Sequence, residues 1–115
     1  MLIHLKETPS TNTTLKALAL EQNLPHGTVL YTDHQTQGKG QVNTVWESEP
    51  SSNLLMSIVL KPSIRIENQY WISKIISVAL IDYLKDFHTF AIKWPNDIYV
   101  NGKKIAGILI ENSWL

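Results

Sequence analysis

Lys93-Trp94-Pro95-Asn96-Asp97, running on through Ile98-Tyr99-Val100-Asn101-Gly102-Lys103-Lys104-Ile105-Ala106-Gly107-Ile108-Leu109-Ile110-Glu111, is the stretch around which the chain is organised. Pro95 has no backbone donor and holds φ near ~−65°, so a helix cannot pass through it. Trp94, just before the proline, is driven toward extended backbone. Ile98-Tyr99-Val100 then forms a strand, Asn101-Gly102 the two-residue turn that hairpins prefer, and Ile105 to Ile110 the return strand. Such a hairpin sets Lys93, Asn96 and Asp97 near one strand and Lys103 and Lys104 near its partner. A cation, an amide, a carboxylate and a second cation on one hairpin exceed what folding alone requires.

Phe90-Ala91-Ile92 leads into this stretch from the exit loop Asp86-Phe87-His88-Thr89. Before the loop lies the longest helix, expected to open at Asn68 or Gln69. Ile72, Ile75, Ile76, Ala79, Leu80, Tyr83 and Leu84 follow the helical period and predict the core face, with Lys74, Ser77, Asp82 and Lys85 mostly on the other. Leu54 to Leu60 is nearly unbroken apolar sequence, as expected of a central strand covered on both faces. Further back, Thr28 to Asp33 predicts a core strand and Leu2 to Leu5 a short one. Between these two, a helix is expected to run to about Gln22 with Leu15, Leu18 and Ala19 on one face.

Three polar segments punctuate this frame. Ser10-Thr11-Asn12 supplies good helix-capping side chains, and capping is the default reading; the functional one is a helix start that binds a polar or anionic ligand. His34-Gln35-Thr36-Gln37-Gly38-Lys39-Gly40-Gln41 is neither a Walker A loop nor a dinucleotide fingerprint. It is either a surface loop or one whose glycines let amides approach a ligand while Lys39 offsets an anion. Trp46 fits a core position or the wall of a pocket. Glu47 and Glu49 read as solvated charges rather than an acid/base pair. The element order predicts an α+β fold, with helices packed on one face of one mixed or mostly antiparallel sheet.

The 115 residues carry a formal net charge of zero, with 43% hydrophobic and 17% charged residues, as in a globular chain. A neutral balance argues against nucleic-acid binding driven by phosphate neutralisation. No apolar run approaches the ~18 residues of a membrane span. The chain has no cysteine and four histidines without ligand spacing, so a protein-built metal site is not expected and a cytoplasmic setting is.

Taken together, Ser10-Thr11-Asn12, Gln35 ahead of Gly38-Lys39-Gly40-Gln41, Trp46, and Lys93-Trp94-Pro95-Asn96-Asp97 followed by Lys104-Ile105-Ala106-Gly107-Ile108-Leu109 resemble the catalytic domain of the biotin protein ligases, the biotin–[acetyl-CoA-carboxylase] ligase family. The resemblance implies a sheet and helices like those of biotin ligases and class II aminoacyl-tRNA synthetases. It covers nearly all of the chain but only the N-terminal part of a family catalytic domain. The end at Trp114-Leu115, straight after a core strand, fits an expectation that the C-terminal remainder is missing here. The family joins biotin and ATP, with Mg2+, into biotinyl-5′-AMP. It then passes biotin to a lysine of a carboxylase carrier domain.

By that resemblance Ser10, Thr11 and Gln35 line the biotin pocket, and Gly38, Lys39 and Gln41 belong to the loop that closes over biotin and the adenylate. Trp46 sits on the adenine side. Asn96 and Lys93 help hold ATP, and Gly107 allows close backbone approach. Lys104, Lys39 and Asp97 carry the chemistry. Two anions, a carboxylate and an α-phosphate, must be brought together, so cations have to offset their repulsion. The carrier is the protein partner, and a homodimer is left open.

The chain departs from the family at the loop, where Gly-Arg-Gly-Arg is usual. Lys39 and Gln41 replace arginines, and Val42-Asn43-Thr44 replaces a basic, glycine-bearing part. A lysine offers a point charge where arginine offers a planar fork. No helix-turn-helix segment precedes Met1, so the repressor role of some members is not expected. Activity is expected of an intact enzyme rather than of this segment alone. The competing readings are a lipoate or octanoate ligase or transferase of the same fold, and a non-catalytic biotin-binding relic.

Overall fold

The computed structural model describes residues 1–68 and 70–113; Gln69, one of the two expected helix starts, and Trp114-Leu115 lie outside the described residues. The chain divides into two units, Met1–Pro62 and Ser63–Leu115.

In the first unit β1 (Leu2–Leu5), α1 (Thr11–Glu21), β2 (Val29–Thr32) and β3 (Leu55–Ile58) form a three-stranded sheet, ordered β1-β2-β3, with one helix. β1 and β2 are parallel, so the chain must cross over between them, and α1 is that crossover. β3 returns antiparallel to β2, with Leu30 opposite Ser57 and Thr32 opposite Leu55. Side chains alternate across a strand. Leu30, Thr32, Leu55 and Ser57 are therefore buried together on the face toward α1. Leu15 of α1, Leu24 and Leu30 form the core there, with Ile3, Leu5, Leu18 and Val59 against it.

The sequence from Leu54 to Leu60 predicts a central strand, and the structure makes β3 an edge strand with one covered face. Leu54, Met56, Ile58 and Leu60 are exposed. An unbroken apolar run carries no signal for edge or centre. Position in the sheet is set by β2, which holds the middle.

In the second unit a 3-10 turn at Ile66–Asn68 precedes α2 (Trp71–Leu84), and β4 (Phe90–Lys93), β5 (Asp97–Val100) and β6 (Lys103–Gly107) make an antiparallel sheet in that order. Ile98, in the middle strand, is fully buried. Residues 94–96 turn β4 into β5, and the Trp94–Pro95 peptide is cis. Asn101 and Gly102 have φ of 51° and 74°, the left-handed pair that a type I′ hairpin turn demands. β6 ends at Gly107, earlier than the expected Ile110. It is bulged, since Ile98 faces Ala106 while Tyr99 faces Lys104.

α2 starts at Trp71, not at Asn68, which closes the 3-10 turn. Its inner face also differs from the expected one. Ser77, placed outside by the periodicity, is 1% exposed, whereas Ile75 and Tyr83 are 63% and 77% exposed. The helix is apolar nearly all round, so its period does not fix which side turns inward. The α+β class stands, with the strands in two three-stranded sheets rather than one. No helix among the described residues is long and apolar enough to cross a membrane.

Candidate functional site

In the first unit the polar residues gather at the C-terminal ends of the parallel strands β1 and β2. The pairing of these strands continues past their ends. The Thr8 N–H donates to the His34 carbonyl at 3.1 Å, the Thr36 N–H to Thr8 at 3.0 Å, and the Gln37 N–H to Pro9 at 2.7 Å. This brings Gln35 beside the first turn of α1. Its Oε1 accepts from the Thr11 N–H at 2.8 Å and from the Thr11 hydroxyl at 3.1 Å. Ser10, in extended backbone, caps the helix by accepting from the Thr13 N–H at 3.4 Å. Ser10 and Thr11 are both buried.

Ser57 of β3 completes the group. Its hydroxyl lies 2.7 Å from Thr11 Oγ1 and is also hydrogen-bonded to Asn12 Oδ1. One hydroxyl proton serves one acceptor at a time, so Ser57 donates either to Thr11 or to Asn12. Asn12 was visible only as part of the capping segment, and Ser57 was not anticipated. The signal for Ser57 is a hydroxyl interrupting Leu54-Leu55-Met56 and Ile58-Val59-Leu60.

The glycine segment forms a small hairpin at the surface. Lys39 pairs antiparallel with Val45, the Trp46 N–H donates to the Gly38 carbonyl at 2.9 Å, and the Gly40 N–H donates to Thr44 at 2.9 Å. Val42 and Asn43 turn it with φ of 25° and 59°. Gly38 is required as glycine, because a Cβ there would collide with the Trp46 carbonyl oxygen and lie 3.0 Å from Gln35 Nε2. Gly38, Trp46 and Gln35 are therefore neighbours, while Lys39 and Gln41 are exposed on the hairpin. Glu47 and Glu49 are exposed too, as expected of solvated charges.

In the second unit the charges of the opening stretch meet. Lys104 Nζ lies 2.9 Å from Asp97 Oδ1, with the two side chains 37% and 22% exposed. The β6 bulge accompanies this approach, since it sets Lys104 opposite Tyr99 while Asp97 faces Gly107. Asn96 is tied at two points to Ile108: its side-chain N–H donates to the Ile108 carbonyl at 2.8 Å and its own carbonyl accepts the Ile108 N–H at 2.9 Å. Lys93, opposite Asp97 on β4, has its ammonium 5.8 Å from the Tyr99 ring. Lys93, Asp97, Lys104 and Gly107 on adjacent strands, with Asn96 in the turn between β4 and β5, thus form one group. Among the described residues no three His, Cys, Asp or Glu side chains are grouped to hold a metal ion.

Residues 5–113 match the model of the Biotin/lipoate A/B protein ligase family. The chain is 38% identical over 104 residues to the bifunctional ligase/repressor BirA of Bacillus subtilis, covering 89% of this chain and 32% of that protein. It is 30% identical over 111 residues to the biotin–[acetyl-CoA-carboxylase] ligase of Mycobacterium tuberculosis, covering 91% of this chain and 42% of that one. Among solved structures, the biotin protein ligase of Aquifex aeolicus in complex with biotin and ATP is similar with a TM-score of 0.70 and 36% identity, over 97% of this chain and 47% of that chain. This chain therefore spans about a third to under half of the length of these relatives. A match to the family model along residues 5–113, almost the whole chain, places it in the Biotin/lipoate A/B protein ligase family.

Proposed function

We propose that the chain is the N-terminal part of a biotin ligase catalytic domain and that its polar groups serve the formation and use of biotinyl-5′-AMP. The observation that carries this reading is the Lys104–Asp97 pair at 2.9 Å, set beside Asn96 and Gly107 on one sheet. In the first unit Ser10, Thr11 and Gln35, now with Asn12 and Ser57, bind the polar end of biotin. Donors and acceptors already matched among themselves are an ordered frame for a ligand with both. Gly38, Lys39 and Gln41 cover the ligand, and Trp46 flanks the adenine.

In the second unit Lys104 offsets negative charge as an oxygen of the biotin carboxylate attacks the α-phosphorus of ATP. The bond from that phosphorus to the bridging oxygen breaks, and pyrophosphate leaves. Lys93 and Asn96 hold the nucleotide. Asp97 is the carboxylate of this group that would help hold a magnesium ion brought in with ATP, which would offset charge on the departing pyrophosphate. In the second step a neutral lysine amine of the carrier attacks the anhydride carbonyl, AMP departs, and one proton is lost. Asp97 orients that amine or accepts its proton. The setting is the cytoplasm, in keeping with a chain that has no cysteine.

In the full-length protein, biotin-dependent exchange of pyrophosphate into ATP tests the first step, alongside thermal-shift titration with biotin and with lipoate. Exchange together with a biotin-specific shift is expected. A shift with lipoate and none with biotin would turn the reading to a lipoate enzyme, and biotin binding without exchange would leave a binder. For the second step, an Asp97→Asn variant that transfers biotin from preformed adenylate at the native rate removes Asp97 from it.

A further inference from the structure

α2 opens without a side-chain cap. Tyr70, at the capping position, is itself helical (φ −65°, ψ −21°) and makes no capping hydrogen bond. Lys74 lies one turn after Tyr70 and Trp71, close enough in a helix for its side chain to reach back over both. Its Nζ is 4.5 Å from the Trp71 ring centroid and 5.8 Å from that of Tyr70. A third ring comes from another element: Trp94, in the turn between β4 and β5, has its centroid 5.3 Å from the same ammonium. All three fall within the ~6 Å range of a cation–π contact, and tryptophan gives the strongest such contact. Trp71 and Trp94 are 46% and 55% exposed, so neither is held by core packing alone.

The turn that carries Trp94 leads directly into Asn96 and Asp97. Its far side is fastened by the paired hydrogen bonds between Asn96 and Ile108, the residue that follows β6. Pro95 contributes no N–H that could fasten the near side. We propose that Lys74 is a positioning residue: its ammonium, gripped between Trp71 and Trp94, ties the first turn of α2 to the β4–β5 turn and so sets where Asn96 and Asp97 stand. This deepens the ligase reading and rests on it only for the effect on rate.

The test compares Lys74→Met, which keeps the stem and removes the charge, with Lys74→Arg, which keeps a cation able to stack on the rings. Amide exchange of Ile108 reports the turn, because that N–H ends on the Asn96 carbonyl. Exposed contacts of this kind predict that Lys74→Met speeds Ile108 exchange about two- to fivefold. The Leu30 amide in the other unit stays unchanged, and Lys74→Arg restores the native rate. In pyrophosphate exchange, kcat falls by a similar factor while KM for biotin stays within about twofold. Unchanged Ile108 exchange in Lys74→Met overturns the proposal. So does an equal acceleration at Ile98, which would mean general loosening of the sheet. If the native protein shows no pyrophosphate exchange, the ligase reading falls, and the Ile108 comparison still decides the role of Lys74.

Discussion

Lys104 and Gly38 are demanding positions for opposite reasons, one electrostatic and one steric. Lys104→Met removes the cation facing Asp97, and pyrophosphate exchange is expected to fall by about 10²–10³, the cost of losing one preorganised charge-stabilising group. Gly38→Ala forces the hairpin strands apart at Trp46, since the added carbon meets backbone that cannot swing away. A loss of about 1–3 kcal/mol of stability is expected in urea denaturation, together with weaker protection of the Trp46 amide. The closeness of Lys104 to Asp97 and the need for glycine at 38 could be read from the sequence because each sits in a short pattern with its neighbours. Ser57 could not, because its partners Thr11 and Asn12 are 46 and 45 positions away.

The β5–β6 hairpin and α2 contrast a strong local signal with a weak one. Asn101-Gly102 specifies its turn unaided. A Cβ on Gly102 would meet nothing within 4 Å, while φ is 74°. Gly102→Ala should therefore cost about 1 kcal/mol through backbone strain alone, seen as a lower Tm with the fold retained. α2 announces itself as a helix but not its orientation. Its most buried residue, Ser77, has a hydroxyl with no hydrogen-bond partner among the described residues. Removing a buried, unsatisfied hydroxyl without changing the packed volume much should help, so Ser77→Ala is expected to raise stability by about 1 kcal/mol. A thermal melt of that variant checks it.

Each unit has its own sheet and helix, and each carries one polar group at the end of its strands. Under the ligase reading biotin engages the first group in the native state and not in the unfolded chain. At a hundred times its Kd it should add about 2.7 kcal/mol to stability, with lipoate adding little. A calorimetric titration followed by melts at fixed ligand concentrations measures this. By itself the sequence determined the α+β class, the hairpin and its turn, the capping segment Ser10-Thr11-Asn12 ahead of the first helix, and the family. These follow from rules acting between residues close in the chain: a proline's missing donor, a turn's positive φ, a capping hydroxyl. Only the tertiary structure decided that β3 is an edge, that the strands form two sheets, that Ser77 faces inward and that Ser57 joins Thr11. Each of those depends on which distant segment lies alongside, and apolar periodicity is the same whichever neighbour satisfies it.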